Sequence, residues 1–469
     1  MYKYINLFGK LIKDVIYKWK RDNMENKEEV NIKIKKLSEL IKIIREENND
    51  SLIIDNNGNI YKISKHDYFL LKLILEIKDY DSIKRLLKSK FEKEKDFDMF
   101  IDDFLNRYIN TLNSEKKKSN LLNKNEEINF FEKNNTLKAP LVVSLQLLET
   151  CNLKCRHCYT MASNDKKTVL DLNLAKSVVE QLHELKVFRL GLTGGETLLY
   201  KNIEEIIKLA SNYKIITTIT TNGILLTEEK AKKLKQAGLN HIHVSIDGDK
   251  NIHNNIRGSN KSFDKAIEAI EICKKVGIKV EINYTLMKSN IECFDDMIRL
   301  AKKYNIQINV RRLIPTGRGK EDLKDLLNYN ECEVILNKII DNSYNNIKLD
   351  YCFFNKNQYR GNCKTNNKCI LTINSKGNVY TCPYLQYDEF IIGNIKENSI
   401  KSIYTKVKDS KLVNFNKNKL KKPCNACEMF NECYGGCRAN AYILYNDLYD
   451  LDIQCEKCYK EKYINERKK

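Results

Sequence analysis

Between residues 141 and 314 the chain alternates short apolar strands with helices. The strand candidates are 141–148, 187–194, 215–221, 241–247, 279–286 and 308–314. Stretches between them, such as 174–185, 203–211, 228–237 and 263–276, repeat apolar residues at helical spacing. Strands separated by helices of this length form a parallel sheet from βαβ units. Six units fit an α/β fold with a partial (β/α)6 TIM-type barrel better than a full eightfold barrel.

The sixteen cysteines are distributed unevenly along the chain. None precedes Cys151, three fall at 151–158, and ten lie between Cys352 and Cys458. The N-terminal residues lack the continuous apolar segment of a signal peptide, so we expect a cytoplasmic, reduced protein whose cysteines bind metal. Cys273, Cys293 and Cys332 lie in helical patterns and are expected to be core residues, whereas the role of Cys352 stays open.

The first cysteine group, Cys151-x3-Cys155-x2-Cys158, directly follows the first strand of the barrel pattern. Three thiolates can hold three irons of a [4Fe–4S] cluster and leave the fourth iron without a protein ligand. Structural zinc is the alternative, but zinc sites usually pair CxxC with a distant second pair. Tyr159 follows the third cysteine and supplies an aromatic ring that can pack against the cluster.

The segment CNLKCRHCY resembles the cysteine loop of radical S-adenosylmethionine (SAM) enzymes, in which the methionine amino and carboxylate groups chelate the open iron. Gly194, Gly195 and Glu196 resemble the family's GGE motif, which implies that they bind the methionine amino group. Thr197 stands where the family often has proline.

Residues at later strand ends extend this resemblance. Asn222 ends the third strand, and Ser245 and Asp247 end the fourth, where family members contact the ribose. Arg257 is implied to pair with the methionine carboxylate. All of these residues follow strand ends, where barrel active sites are built.

The second cysteine group, Cys424-x2-Cys427-x5-Cys433-x3-Cys437, resembles the signature of the SPASM extension of radical SAM enzymes. The resemblance implies two auxiliary [4Fe–4S] clusters, three clusters in all, with interleaved ligands. One set is Cys363, Cys369, Cys382 and Cys437, and the other is Cys424, Cys427, Cys433 and Cys455. Cys455 against Cys458 as the last ligand stays open, and a zinc ribbon is the alternative to the second set.

The segment before the barrel predicts a small separate domain. Residues 51–63 read as a β-hairpin, and helices are expected over 66–77, 82–91 and 96–112, with Ser64 capping the first. The predicted domains are therefore an amphipathic helical extension (1–45), a winged-helix domain (46–115), a linker (116–138), the barrel (139–325) and the SPASM domain (350–465).

The winged-helix pattern is similar to the leader-recognition element of peptide-modifying enzymes, to which a leader peptide adds as a strand. The domain order resembles that of maturases of ribosomally made peptides. It implies a precursor peptide as substrate, a flavodoxin or ferredoxin as electron donor and thioether formation as the reaction. A carbon–carbon crosslink and epimerisation stay open. Formylglycine formation is less favoured, because Pro383 replaces an expected aspartate after Cys382.

The formal charge of +20 does not predict nucleic-acid binding, because the lysines are spread along the chain without a recognition motif. No stretch is long and apolar enough to suggest a membrane-spanning helix, and the first helix is expected to dock on the protein rather than on a membrane. A non-catalytic iron–sulfur protein is the rival class, but a structural metal site has no use for the glycine-rich turn and the polar strand ends. The sequence does not indicate the oligomeric state.

Overall fold

The computed structural model describes residues 27–47, 51–55, 60–87, 94–113, 137–341, 347–349, 369–427, 430, 435–452 and 455. The chain divides into two compact units, residues 1–138 and 139–469. The predicted helix over residues 1–21, almost all of the predicted linker, and Cys352, Cys363, Cys433 and Cys458 lie outside the described residues.

The first unit contains a three-stranded antiparallel sheet. Its strands are β1 (Ile41–Glu46), β2 (Ser51–Asp55) and β3 (Ile60–Ile63), with β2 in the centre. Strands β2 and β3 form the predicted hairpin. Strand β1 lies within residues predicted as a helical extension, because its sequence, IKIIRE, continues a run of alternating charged and apolar residues that suits either structure.

Four described helices pack on this sheet and close one hydrophobic core. They are α1 (Lys27–Leu40), α2 (Lys65–Ile77), α3 (Tyr80–Leu87) and α4 (Glu94–Asn113). The hydroxyl of Ser64 accepts a hydrogen bond from the Asp67 amide at 3.0 Å, so the predicted cap is confirmed. Val30, Ile34 and Leu37 of α1 are buried in this core, so the unit begins well before the predicted boundary at residue 46.

The second unit is built on a mixed sheet whose central part is the predicted parallel series. The strands are β4 (Val142–Gln146), β5 (Arg189–Thr193), β6 (Ile216–Thr221), β7 (His241–Ser245), β8 (Lys279–Leu286), β9 (Gln307–Arg312), β10 (Ile347–Leu349), β11 (Ile370–Ile373), β12 (Asn378–Tyr380) and β13 (Gly393–Asn394). Strands β4 to β9 pair in parallel in chain order. The predicted α/β fold with a partial barrel is therefore confirmed.

Helices alternate with these strands as the pattern predicts. They are α5 (Leu172–Glu184), α6 (Ile203–Asn212), α7 (Glu228–Gln236), α8 (Lys250–Arg257), α9 (Ser262–Val276), α10 (Phe294–Tyr304), α11 (Tyr329–Asp341), α12 (Ile400–Thr405) and α13 (Arg438–Tyr445). Side chains of Asp171, Thr227 and Asp249 cap α5, α7 and α8 through main-chain amides, so each helix starts directly after a loop from the preceding strand.

The cysteine-rich C-terminal region extends the barrel sheet, which the sequence did not predict. Strand β11 pairs in parallel with β4, with Ile370 opposite Val142. Just before it, the carbonyl of Cys369 accepts bonds from the amides of Leu141 and Val142 at 2.8 and 3.0 Å. Because β4 leads into the first cysteine group, this pairing joins the two cysteine-rich parts of the unit.

A polar network lies between neighbouring barrel strands. The Glu281 carboxylate of β8 lies 3.7 Å from Nδ1 of His241 and 3.5 Å from Nε2 of His243, and it accepts a hydrogen bond from Asn309 at 2.9 Å. Along β7, Ile242 and Val244 are buried and alternate with the two histidines, so both histidines lie on the opposite face of the strand.

Among the described residues, no helix is both long and apolar enough to cross a bilayer.

Candidate active site

The three cysteines of the first group lie in the loop after β4. Cys151 and Cys155 are buried and Cys158 is half-buried, and all three belong to one apolar cluster with Leu153 and Ala162. The loop is held at its base by the Cys151 amide, which donates to the Ser163 carbonyl at 3.1 Å. One short segment therefore holds three thiols in one apolar cluster.

Burial makes ionisation of the Cys151 and Cys155 thiols unfavourable unless a cation is present. It raises the pKa of Cys151 to about 12 and also raises the pKa of Cys155. Metal binding requires thiolates and releases their protons, so these thiols are suited to a tightly bound metal group. No three His, Cys, Asp or Glu side chains in the described part of the chain surround a single ion. A four-iron cluster does not require that arrangement, because each thiolate binds a different iron.

The glycine-rich turn after β5 packs directly on the cysteine loop. The amides of Gly195 and Glu196 donate to the carbonyls of Leu148 and Thr150 at 2.7 and 2.9 Å. A Cβ atom at Gly195 would overlap the Thr150 carbonyl, and Gly194 has a φ of +147°. Both glycines are therefore required by the approach of two main-chain segments.

Glu196 joins this turn to the end of β6. One carboxylate oxygen accepts bonds from the Leu198 amide at 3.0 Å and the Thr221 hydroxyl at 2.7 Å, and the other accepts from the Asn222 amide at 2.9 Å. The side chain is 1% exposed, and burial raises its pKa. A carboxylate has about four acceptor positions, so one remains for an ammonium group.

Asp247 was predicted at the ribose site, but its side chain is enclosed by protein groups. Its side chain is 0% exposed, one oxygen accepts from the Thr285 amide at 3.1 Å, and the other lies 2.6 Å from Nη2 of Arg257. Burial acts to raise the pKa of Asp247, but the charges of Arg257, His157 and His253 and the bond from Thr285 together outweigh it and lower the pKa. The predicted contact with a ribose does not fit a carboxylate that is enclosed and engaged on both oxygens.

Arg257 lies against the cysteine loop. Its Nη1 is 3.8 Å from Sγ of Cys155, while its Nη2 contacts Asp247. His157, from the same loop, lies 3.6 Å from Asp247, and burial lowers its pKa to about 4. The guanidinium is therefore fixed beside the thiols by a buried carboxylate.

Two further predicted residues lie at or just after the ends of neighbouring strands, and Asn222 contacts the cysteine loop. The Asn222 side chain donates to Asn152 at 2.8 Å, and Ser245 ends the neighbouring strand β7 with 9% exposure. Tyr159 packs edge-on against Tyr384, with ring centroids 5.5 Å apart. This aromatic contact joins the first cysteine group to the segment that follows Cys382.

Four of the described C-terminal cysteines fall into two packing groups. Cys382 and Cys437 share one hydrophobic cluster, and Cys424 and Cys455 share another. Cys427 follows Cys424 through a turn in which its amide donates to the Cys424 carbonyl at 3.2 Å. Cysteines distant in sequence therefore meet in pairs.

Comparisons with known protein families identify two domains. The Radical SAM superfamily matches residues 145–301, and the SPASM iron–sulfur cluster-binding domain matches residues 363–428. This chain is a radical SAM enzyme with a SPASM domain. Its radical SAM domain binds S-adenosylmethionine, and the two domains bind iron–sulfur clusters.

Curated relatives cover the larger part of the chain. Mycofactocin maturase MftC of Mycobacterium tuberculosis is 26% identical over 340 residues, which is 69% of this chain and 85% of that protein. AdoMet-dependent heme synthase of Methanosarcina barkeri is 28% identical over 343 residues, covering 68% of this chain and 96% of the relative.

Solved structures share the fold of this radical SAM enzyme. SuiB of Streptococcus suis bound to S-adenosylmethionine has a TM-score of 0.66 and 20% identity, and the match covers 89% of this chain and 99% of SuiB. The enzyme anSMEcpe with bound AdoMet and Cp18Cys peptide has a TM-score of 0.55 and 21% identity, covering 70% of this chain and 97% of that one. The second unit makes up about 71% of the chain, so the SuiB match includes part of the first unit.

Three residues of the site were not predicted as functional. His157 and His253 both contact Asp247. Nε2 of His157 lies 3.6 Å from the Asp247 carboxylate, and Nδ1 of His253 accepts a bond from the Asp247 amide at 3.0 Å. Arg318 donates to carbonyls of the cysteine loop. Its sequence signal is an arginine between two glycines just after a strand end, which is a weak pattern on its own.

Proposed function

We propose that this radical SAM enzyme installs a thioether crosslink in a ribosomally made precursor peptide. The observation that carries the proposal is the contact between Tyr159 and Tyr384. This contact joins the residue after Cys158 to the segment after Cys382. The proposed site of hydrogen removal therefore lies next to the cysteines of a proposed auxiliary cluster. An oxidative reaction needs that proximity.

The stoichiometry explains why two sites are needed. Joining a cysteine sulfur to a carbon removes one hydrogen from each partner. One leaves as a hydrogen atom from carbon, and the other leaves as a thiol proton and one electron. A bound S-adenosylmethionine with the cluster held by Cys151, Cys155 and Cys158 would supply the radical that takes the hydrogen atom, and an auxiliary cluster would take up the electron. A flavodoxin or ferredoxin is the proposed electron donor.

The residues around the first site hold the cofactor and exclude water. Cys151, Cys155 and Cys158 would hold the SAM cluster. Glu196, next to Gly194 and Gly195, keeps one acceptor position for the methionine ammonium. Cys151, Cys155 and Glu196 are buried, so polar interactions with a bound cofactor are strong there.

Two polar strand ends and one arginine complete the proposed SAM site. Asn222 and Ser245 border it at the ends of β6 and β7. Arg257 carries a positive charge for the methionine carboxylate, and Asp247 positions that charge rather than contacting the cofactor.

Two auxiliary clusters are proposed, with Cys363, Cys369, Cys382 and Cys437 as one ligand set and Cys424, Cys427, Cys433 and Cys455 as the other. The pairing of Cys382 with Cys437, and of Cys424 with Cys455, supports this interleaved arrangement. Cys455 is proposed as the last ligand because it packs in the same cluster as Cys424.

The first unit is proposed to bind the leader of the precursor. Strand β3 is an edge of its sheet, and an edge strand offers unpaired main-chain groups to an added peptide strand. The match to SuiB extends into this unit, and SuiB has been solved with its precursor peptide SuiA.

A second candidate is side-chain chemistry on a tetrapyrrole, because an AdoMet-dependent heme synthase is among the relatives. That relative covers only 68% of the chain, less than the second unit's share, so the first unit is not needed to account for the match. The peptide proposal assigns that unit a role.

The test uses anaerobically reconstituted enzyme with S-adenosylmethionine, a reductant and the cysteine-containing peptides encoded beside its gene. The proposal expects a peptide product lighter by two hydrogens per crosslink, with fragmentation that places the sulfur bond. Conversion of an added iron tetrapyrrole to heme without any change in the peptides would support the second candidate instead.

A further inference from the structure

The turn of residues 314–319, which follows β9, contacts the cysteine loop through Arg318. The Arg318 Nε donates to the Cys155 carbonyl at 2.7 Å, and its Nη2 donates to the Ala162 carbonyl at 2.9 Å. The Arg318 amide donates to the Cys158 carbonyl at 3.1 Å. One side chain therefore closes the loop segment from residue 155 to residue 162.

The main chain of the turn lies directly against the same loop. Gly317 has a φ of +59°, and a Cβ atom there would overlap the carbonyl oxygens of Cys158 and Tyr159. The arginine side chain is 9% exposed, so its hydrogen bonds form in a site from which water is largely excluded.

The opposite side of the turn contacts the SPASM cysteines. Ile314 packs in the hydrophobic cluster that contains Cys382 and Cys437. The Thr316 hydroxyl donates to the Tyr384 carbonyl at 3.3 Å. The Gly319 amide closes the turn by donating to the Thr316 carbonyl at 3.1 Å. Six consecutive residues thus connect both cysteine regions.

We propose that the 314–319 turn couples the SAM-cluster loop to the auxiliary site that contains Cys382, with Arg318 as the positioning residue. The planar guanidinium holds two carbonyls seven residues apart, which the point charge of a lysine cannot do. When the region around Cys382 is well ordered, contacts through Ile314, Thr316 and Arg318 also keep the cysteine loop ordered. The coupling concerns protein geometry and does not depend on which substrate the enzyme modifies.

Arg318→Lys in the reconstituted full-length enzyme tests the positioning role, with Lys320→Ala as a matched control because Lys320 is exposed and directly follows the turn. Hydrogen exchange of the 151–163 segment is expected to accelerate about tenfold or more in Arg318→Lys, since bonds to a charged donor are lost. The electron paramagnetic resonance signal of the reduced SAM cluster should shift, and Lys320→Ala should match wild type in both measurements. Wild-type exchange and an unchanged signal in Arg318→Lys would overturn the proposal.

The coupling itself is tested by Cys382→Ala. This change should accelerate exchange of the 151–163 segment in the wild-type background and add little in the Arg318→Lys background, because both act through one path. No effect in the wild-type background, or full additivity, would contradict coupling. If Arg318→Lys does not yield folded protein, Thr316→Ala removes only the bond to Tyr384 and provides the same comparison with the same two outcomes.

Discussion

The guanidinium of Arg257 lies 3.8 Å from the Cys155 sulfur and is held there by the fully buried carboxylate of Asp247, 2.6 Å away. A fixed positive charge therefore adjoins a proposed cluster ligand. The carboxylate was predicted to bind ribose, but its burial and its partners make it a positioning group for the arginine.

Asp247→Asn should destabilise the enzyme strongly, because it leaves the Arg257 charge buried without its counter-ion. Breaking a buried pair typically costs about 3–5 kcal/mol. Denaturant unfolding of the reconstituted protein measures this. Asp264→Asn is the control, since Asp264 pairs with Lys250 on the surface and its loss should cost under about 1 kcal/mol. Equal effects of the two variants would contradict the buried-pair account.

Gly195→Ala should prevent normal packing of the cysteine loop, because the added methyl group would overlap the Thr150 carbonyl. We expect a large loss of bound iron and a lower melting temperature. Gly277→Ala is the matched control, since Gly277 has a φ of +76° but no atom within 4 Å of the added Cβ. It should cost only about 1–2 kcal/mol of backbone strain. Similar iron loss in both variants would show that packing at residue 195 is not the cause.

The barrel was predictable because its strands and helices repeat with clear periods. The six predicted strands agree with β4 to β9 within a few residues, and the cysteine loop and polar strand ends lie at one end of the sheet as expected. Apolar periodicity reports local structure reliably when segments are long.

Long-range partners were not predictable in the same way. Strand β11 has only four residues, Ile370–Ile373, too few to show a period, and its pairing with β4 is a tertiary choice. The enclosed position of Asp247 depends on Arg257 of the following helix and on Thr285 of the next strand, which belong to other elements. Residue type indicated a polar site but not which polar groups would pair with one another.

The histidine network of the barrel predicts a pH dependence of stability. Burial lowers the pKa of His241 and His243 from 6.5, so folding disfavours their protonation. Burial acts to raise the pKa of Glu281, but bonds from both histidines and from Asn309 together outweigh it and lower the pKa; Lys279 and Arg311 add positive charge nearby. A group whose pKa is lowered by folding stabilises the fold above its unfolded pKa. The contribution of the two histidines is therefore lost as pH falls below about 6.5, and that of Glu281 only as pH falls below about 4.5.

His243→Gln should flatten this dependence. The free energy of unfolding of the variant and of wild type is measured at each pH between about 7.5 and 5.5. The difference between the two proteins removes any loss of clusters in acid, because both proteins share it. Parallel stability curves would show that His243 does not contribute.

Iron content distinguishes the candidate ligands of the second auxiliary cluster. Three clusters imply about twelve irons per chain. Cys455→Ala should reduce this to near eight, because Cys455 lies in the group with Cys424, whereas Cys458→Ala should retain about twelve. The reverse pattern would reassign the ligand, and a wild-type value near four would remove both auxiliary clusters.

The central claim is that this enzyme removes a hydrogen atom from a peptide. The most direct measurement is transfer of deuterium from a labelled precursor peptide into 5′-deoxyadenosine, with a Cys151→Ala/Cys155→Ala/Cys158→Ala variant as the control. The account predicts labelled 5′-deoxyadenosine from the wild type and none from the variant. Abundant unlabelled 5′-deoxyadenosine with a fully labelled peptide, or equal product from the triple variant, would contradict it.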